Sequence, residues 1–363
     1  MVKGRNGRPG NGVVCSRTWK ENMSLNNVRP LEATPTREPL VDPQGRVLNY
    51  LRVAVTDRCN LRCRYCMPLE GIEQIPHHEV MTLEETLRLC SLFTELGIRK
   101  IRVTGGEPLV RKGVVGLMSC LAQLPARPEV LLTTNGLVLE EHLEELKAGG
   151  IRRINLSLDS LKTDTWTEIT RRKGFDKVRG AVDRVLEMGL GLKINVVVLP
   201  GINDEEIPDF VELTRNKRLT VRFIEPMPFD GAGKALDETI DGEEIMLRLR
   251  GKYELSPVDQ PTDAVDKLFT VRGFTGTVGV ISGHSRTFCS TCSRLRIDAR
   301  GRLRTCLYGA PGANLMEMMR EGRSDDEIVA AIKTEISFRF PDGKKAELAH
   351  HLVGLESMAS IGG

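Results

Sequence analysis

From about residue 49 the chain alternates between short β-branched runs and stretches of helical spacing, and this alternation narrows its folds more than any other feature. The strand-like runs are Leu51–Thr56, Ile101–Thr104, Val130–Thr134, Ile154–Leu158, Leu192–Leu199 and Val221–Ile224. Between them, Leu83–Leu96, Leu137–Leu146, Phe175–Met188 and Glu205–Leu213 carry apolar residues at helical intervals. Thr82, three residues before Glu85, reads as a capping box that starts one of these helices. Strands joined through helices pair in parallel, so the pattern predicts a mostly parallel sheet, as a partial barrel or an open doubly wound sheet. In a barrel, functional residues collect where strands end and loops begin. After about residue 230 the rhythm changes to shorter β-like pieces, Leu268–Val271, Val278–Ile281, Leu295–Ile297 and Arg302–Thr305, before a charged helix-like region at about 324–337.

Composition sets outer bounds. The 363 residues, 40% hydrophobic and 28% charged, suffice for one large globular domain or two ordinary ones. A net charge of +3 is too small to imply nucleic-acid binding, so any cationic function must come from local placement of Arg and Lys. No stretch approaches the length of a membrane span, and no secretory signal is visible. Residues 1 to about 45 are rich in Gly, Pro, Asn and Arg without apolar periodicity, which predicts a disordered tail. Met23 is an alternative start, and the Gly and Pro content weakens a targeting-peptide reading. Nine cysteines, six of them in two spaced groups, point to metal ligation in a reducing compartment, and the cytoplasm is expected. Cys15, Cys90 and Cys120 stand alone, the last two in apolar helical contexts that suit small buried hydrophobes.

The first cysteine group is Cys59, Cys63 and Cys66, in the loop after the first strand. Three thiolates cannot close a four-ligand zinc site, and His77 and His78 lie beyond a proline. A cubic iron–sulfur cluster held by three thiolates instead leaves one iron free. The second group, Cys289, Cys292 and Cys306, is again three. It is either a zinc site completed by His284 or a second cluster with an open iron.

Cys-x3-Cys-x2-Cys with Tyr65 before the last cysteine, followed by Thr104-Gly105-Gly106-Glu107-Pro108 after the second strand, resembles the radical S-adenosylmethionine enzymes. In that family the free iron binds S-adenosylmethionine, and one electron releases a 5′-deoxyadenosyl radical. Glycines at 105 and 106 would let backbone groups approach the methionyl amine closely. A second three-cysteine site after such a domain resembles the GTP 3′,8-cyclases of molybdenum cofactor biosynthesis. Val55-Thr56-Asp57-Arg58-Cys59-Asn60, Leu132-Thr133-Thr134-Asn135-Gly136, Arg153-Ile154-Asn155-Leu156-Ser157-Leu158-Asp159, Arg222-Phe223-Ile224-Glu225, the run 288–296 and the terminal Gly362-Gly363 agree, over about residues 44–363.

Charged residues inside apolar strands are costly unless they face a partner. Arg52, Arg102 and Lys193 are of this kind, and Arg294 and Arg296 share one strand face beside the second cysteines. Together they read as a cage for a polyanion, because guanidinium groups grip phosphate oxygens in pairs. The resemblance implies GTP contacts at Arg52, Arg102, Thr133, Lys193, Arg294, Leu295 and Arg296. It implies S-adenosylmethionine contacts at Tyr65, Gly106, Ser157 and Met227, with no catalytic side chain beyond the clusters and the bound cofactor. No Walker-type phosphate loop is present, so ordinary GTP hydrolysis is not expected.

The expected architecture is a partial (β/α)6 TIM-like barrel over 46–235, after a tail at 1–45. A C-terminal α+β region, 236–363, would carry the second cluster and end in a Gly-Gly tail that reaches the active site. The resemblance further implies a lyase with two [4Fe-4S] clusters and S-adenosyl-L-methionine as cofactors. It would convert GTP to (8S)-3′,8-cyclo-7,8-dihydroguanosine 5′-triphosphate. Implied partners are an electron donor such as flavodoxin or ferredoxin and, in the pathway, cyclic pyranopterin monophosphate synthase. The resemblance is compatible with a homodimer, and neither nucleic acid nor membrane is expected. Two other classes stay open: a radical peptide-modifying protein with an auxiliary cluster, and a zinc-binding interaction module with two structural sites.

Overall fold

The computed structural model describes residues 37–227, 229, 239–350 and 357–362. Its strands are β1 Tyr50–Ala54, β2 Lys100–Thr104, β3 Glu129–Thr134, β4 Arg153–Ser157, β5 Gly191–Val197, β6 Leu219–Ile224, β7 Leu255–Pro257, β8 Asp266–Val271, β9 Thr277–Ile281, β10 Arg294–Ile297 and β11 Leu303–Arg304. They form one sheet in the order β11-β10-β1-β2-β3-β4-β5-β6-β9-β8-β7. The run from β10 through β1–β6 to β9 is parallel, and antiparallel pairs occur only at its two ends. The described helices are α1 Leu83–Glu95, α2 Val114–Ala122, α3 Leu143–Ala148, α4 Thr163–Thr170, α5 Phe175–Glu187, α6 Ile207–Glu212, α7 Gly242–Lys252, α8 Leu315–Arg320, α9 Asp325–Ser337, α10 Gly343–His350 and α11 Met358–Ile361.

Alternate residues of the parallel strands divide by chemistry. Leu51, Val53, Ile101, Val103, Val130, Leu132, Ile154, Leu156, Ile194, Val221 and Phe223 are buried in the same apolar cluster as Leu87, Phe93, Leu117, Val182 and Phe210 of the helices. The core therefore lies between sheet and helices. Their sequence neighbours Tyr50, Arg52, Arg102, Thr133, Asn155, Lys193, Asn195 and Arg222 line a cavity on the concave side. A strand with side-chain period two can serve both purposes.

The capping box holds: the Glu85 amide donates to Thr82 Oγ1 at 3.1 Å, and the Thr82 amide donates to Glu85 Oε2 at 2.7 Å. Helix α2, Val-Val-Gly-Leu-Met-Ser-Cys-Leu-Ala, is buried nearly all round and so lacks a polar stripe.

Two sequence boundaries change. The tail expected to run to residue 45 gives way to packed chain well before that point: Leu40 is 2% exposed and its amide donates to Leu96 O at 3.2 Å. Met23 and Cys15 lie outside the described residues. The boundary at residue 235 divides the sequence but not the sheet, because β9 and β10 from the C-terminal part extend the parallel array beside β6 and β1. Cys90 is buried, and burial pushes its thiol up to about 12, as suits an inert hydrophobe. Cys120 is also buried in the apolar core, as expected of a small hydrophobe, and it is disulfide-bonded.

Leu295 sits between Arg294 and Arg296 and faces the opposite way, fully buried in the core cluster. The strand's period turns its side chain into the core, so a substrate contact at this position would be through its backbone. Leu295→Ala should therefore lower unfolding free energy by about 2–5 kcal/mol in a denaturant titration. Leu295→Met should cost less than about 1.5 kcal/mol.

Candidate active site

The chain leaving β1 is held as a continuation of the sheet. The Val55 amide donates to Thr104 O at 2.9 Å, the Gly106 amide to Thr56 O at 2.8 Å and the Glu107 amide to Arg58 O at 2.8 Å. This close pairing, more than approach to a ligand, explains the two glycines. A Cβ on Gly105 would lie inside van der Waals contact of the Thr56 carbonyl, and one on Gly106 inside that of the Arg58 carbonyl. Glu107 is fully buried and accepts from the Leu109 amide (3.0 Å), the Thr134 hydroxyl (2.8 Å) and the Asn135 amide (2.7 Å). Burial pushes its carboxyl up to about 7 despite those three donors. Asn135 in turn donates through Nδ2 to Asn60 Oδ1 at 2.7 Å and lies 3.8 Å from Cys59 Sγ.

The far side of the cysteine loop is pinned too. Arg62 and Arg64 donate backbone N–H groups to Thr170 and Ile169 of α4, each at 2.9 Å. The Tyr65 hydroxyl donates to Asp159 Oδ2 at 2.7 Å, and Asp159 Oδ1 accepts from the Val197 amide at 2.8 Å. Tyr65 is thus a buttress as well as a cavity wall. Cys59, Cys63 and Cys66 are free thiols that rim the cavity. Burial raises all three, Cys66 to about 12. Thiols so placed keep their protons until a metal centre displaces them.

Cys289, Cys292 and Cys306, also free, line a neighbouring hollow of about 60 Å³ together with Arg46, Arg294, Arg296 and Arg339. The Gly343 amide donates to Cys289 Sγ at 3.4 Å. Burial raises Cys289 and Cys306. At Cys292 burial acts the same way, but the nearby Arg294 and Arg339 outweigh it and its thiol falls below the ordinary value. His284 is exposed, as are His77 and His78. Among the described residues no group of three or more His, Cys, Asp or Glu is placed to hold a single metal ion. Two sets of three free sulfurs facing open space fit iron–sulfur clusters with an open iron better than closed zinc sites.

The two cysteine sets meet across one cavity of about 470 Å³, which shares Phe288, Arg294, Arg296 and Leu307 with the smaller hollow. Strand register builds its wall as two rungs: Arg294–Tyr50–Lys100 and Arg296–Arg52–Arg102. Thr133, Asn155 and Lys193 form a third rung, and Ser157, Asn195 and Arg222 a fourth. The cavity presents eight Arg or Lys side chains against four carboxylates, Asp159, Glu225, Asp263 and Asp266. All four carboxylates already accept hydrogen bonds from the protein.

Crowding of like charges leaves its mark. Burial and then Arg296 push the Arg52 guanidinium well below its ordinary value. Burial and then Arg294 lower Arg296 to about 10. Burial and then Arg222 lower Lys193. Tyr50 moves the other way for a buried phenol: burial would raise it, but Arg102 and Arg52 bring it down to about 8.

The structure thus brings together Arg52, Arg102, Thr133, Lys193, Arg294 and Arg296, and on the same cavity Tyr65, Gly106, Ser157 and Met227. Leu295 is the exception. Sequence reasoning passed over Tyr50, Lys100, Arg222 and Asp266. Tyr50 and Lys100 precede Arg52 and Arg102 by two residues and share their faces, so the period-two rule could have found them. Arg222 is as deeply strand-embedded as Arg102; it donates to Asn195 Oδ1 at 2.7 Å and lies 3.6 Å from Asp266. Asp266 arrives from β8, far away in sequence, and no local signal marks it.

Residues 357–362 reach the same site. Gly362 is buried, and its carbonyl accepts from Arg296 Nη1 at 2.9 Å and from Thr104 Oγ1 at 3.3 Å. The Ser357 hydroxyl donates to Cys66 O at 2.7 Å. Gly363 lies outside the described residues.

A parallel barrel with a three-cysteine loop after its first strand defines the class of radical S-adenosylmethionine proteins. A family model described as the Radical SAM superfamily matches residues 53–214, and one described as Molybdenum Cofactor Synthesis C matches residues 219–344. The chain is 43% identical to the GTP 3′,8-cyclase of Desulforamulus reducens, over 82% of this chain and 93% of that one. It is 41% identical to the GTP 3′,8-cyclase of Geobacter sulfurreducens, over 89% and 99%. Molybdenum cofactor biosynthesis protein 1 of Drosophila melanogaster is 39% identical over 91% of this chain, which spans 60% of that longer relative. The chain belongs to the GTP 3′,8-cyclase family. Among solved structures, SuiB of Streptococcus suis shares the fold alone, with a TM-score of 0.56 and 15% identity over 88% of this chain and 78% of SuiB.

Gly106→Ala should break the pairing between the Gly-Gly-Glu-Pro segment and the first cysteine loop. After anaerobic reconstitution, iron should fall from about eight to about four per chain, with the second site still loaded.

Proposed function

We infer that the chain is a GTP 3′,8-cyclase, a lyase of molybdenum cofactor biosynthesis, and that the reaction takes place inside the shared cavity. The carrying observation is that one cavity, walled by arginine rungs, has three free cysteines at one end and opens toward three more at the other. Cys59, Cys63 and Cys66 would hold one [4Fe-4S] cluster, and Cys289, Cys292 and Cys306 the other. With S-adenosylmethionine bound, a cluster held by Cys59, Cys63 and Cys66 would supply a 5′-deoxyadenosyl radical. Hydrogen would be taken from C3′ of GTP, C3′ would then bond to C8 of guanine, and the radical left on the purine would be quenched by one electron from a low-potential donor and one proton.

The chain's own residues bind and orient. Tyr65, Gly106, Ser157 and Met227 line the end next to the first cysteines, where S-adenosylmethionine would lie. Arg52, Arg102, Lys193, Arg294 and Arg296, with Thr133, would grip the triphosphate. Lys100 and Arg222 belong to the same wall and extend it. An anion with several negative charges relieves the mutual repulsion of these groups, which raises its affinity beyond simple pairing. The rungs place the phosphates by charge and the fork geometry of arginine selects oxygen pairs. Holding substrate and cofactor in one enclosed space converts a bimolecular radical transfer into a local one.

A low-potential electron donor such as flavodoxin or ferredoxin would reduce the first cluster, and cyclic pyranopterin monophosphate synthase would consume the product. Seven free cysteines among the described residues, the two sets of three and Cys90, suit a reducing compartment such as the cytoplasm. No described helix is long and apolar enough to cross a membrane. A homodimer is compatible with this reading. The domain division follows the same logic, with a radical barrel ending near residue 235 and a second-cluster and substrate region after it.

Anaerobic reconstitution followed by GTP, S-adenosylmethionine and reductant should yield 5′-deoxyadenosine and cyclised GTP together. 5′-Deoxyadenosine without cyclised GTP would keep the radical class and remove the substrate. Two zinc ions and no iron would favour an interaction module. Arg294→Ala with Arg296→Ala should abolish cyclic product at unchanged iron content. Arg222→Ala should weaken GTP binding by about 10- to 100-fold, the range of a charge-assisted hydrogen bond.

A further inference from the structure

The segment before β1 carries a buried charge cluster that ends on the second cysteine loop. The Asp42 side chain is fully buried, and it accepts from the backbone amides of Gln44 (3.0 Å) and Arg46 (2.9 Å). Its Oδ2 also accepts from Arg46 Nε at 2.6 Å and from Arg339 Nη1 at 3.1 Å. One carboxylate therefore holds two guanidinium groups, whose side chains are only 8% and 3% exposed.

The free ends of both arginines point the same way. Arg46 Nη1 donates to the carbonyl of Cys289 at 2.7 Å and to that of Pro341 at 2.7 Å. Arg339 Nη2 donates to the carbonyl of Cys292 at 3.0 Å. Both arginines line the hollow into which the three sulfurs face. Two of the three second-site cysteines are thus gripped by their own peptide groups, from a carboxylate some 250 residues earlier in the chain (289 against 42). A buried carboxylate that pairs two arginines is costly to assemble, and hydrogen-bonded backbone at a ligand loop is what such a cost can secure.

We propose that Asp42, Arg46 and Arg339 are positioning residues for the second iron–sulfur cluster, fixing the backbone of Cys289 and Cys292 and setting the charge beside the sulfurs. This rests on the reading that Cys289, Cys292 and Cys306 hold a cluster. Two positive charges and one negative mean that the trio adds a net positive charge to a hollow also lined by Arg294, Arg296 and Asp342. Net charge and hydrogen bonding near a cluster set its reduction potential. Removing the carboxylate therefore moves the potential up, and removing Arg339 moves it down. The segment that composition assigned to a disordered tail becomes part of the second site.

The test uses the full chain carrying Cys59→Ala, Cys63→Ala and Cys66→Ala, which loads only the second site and should hold about four irons. Asp42→Asn and Arg339→Gln are added separately. Iron content, midpoint potential and melting temperature are then read anaerobically. The proposal expects loss of iron, or retained iron with the potential raised by Asp42→Asn and lowered by Arg339→Gln. Four irons at an unchanged potential in both variants would overturn it. So would equal iron loss at the first site, in a chain with Cys289→Ala, Cys292→Ala and Cys306→Ala, because that would mark a general folding defect. If the parent triple variant takes up no iron at all, the second-cluster reading itself fails and this inference falls with it.

Discussion

Three arginines stand side by side across three strands, Arg296, Arg52 and Arg102, and everything else in the structure accommodates them. Like charges directly opposite one another in a sheet repel. The parallel ladder holds them in place because the opposite face of the same strands is buried in apolar core. Sliding any strand by one residue would send the arginines into that core and the leucines and valines into the cavity. Hydrophobic burial on one face thus enforces electrostatic crowding on the other. The protein answers part of it with Tyr50, whose ring faces Arg102 and Arg294 at 5.8 and 5.7 Å, and with Asp266 beside Lys193 and Arg222. The rest of the charge faces the cavity.

The same sheet carries the two cysteine sets at opposite ends of its strands. Cys59, Cys63 and Cys66 leave the C-terminal end of β1, whereas Cys289 and Cys292 lie just before the N-terminal end of β10, beside β1. The C-terminal strand is therefore more than a cap over an open barrel edge. It carries Arg294 and Arg296 from the second hollow into the main cavity. Gly362, bonded to Arg296 and Thr104, and Ser357, bonded to Cys66, tie the chain's end to both halves. Around each cysteine loop the protein places rigid buried polar groups: Glu107, Asn135 and Asp159 at the first, Asp42, Arg46 and Arg339 at the second. At both loops these hydrogen bonds hold the backbone that carries the sulfurs or the groups beside them.

Much of this was legible in the chain. The six β-branched runs became β1 to β6 because β-branched residues at period two leave little else to form. The six cysteines and the strand-embedded Arg52, Arg102 and Lys193 were visible because each breaks a local expectation. Tyr50 and Arg222 were missed for the opposite reason, since an aromatic at a strand start and an arginine near a strand centre attract no attention singly. The glycines of Gly-Gly-Glu-Pro were legible in sequence, but not the whole of their requirement. Their need is close approach to the backbone of residues 56–58, a neighbour that only the β1–β2 pairing supplies.

By itself the sequence determined the chemistry on offer: strand and helix order, two incomplete thiolate sets, and cations on one face of several strands. These follow from local periodicity and residue type, which act over a few residues. Only the tertiary structure decided that β10 pairs with β1, and so that Arg296 stands next to Arg52. It alone placed Leu295 in the core, Asp266 among the cations and Asp42 behind the second cysteines. Those relations join residues up to about 300 positions apart (339 against 42). They are set by burial and register over the whole sheet, which no short window of sequence contains.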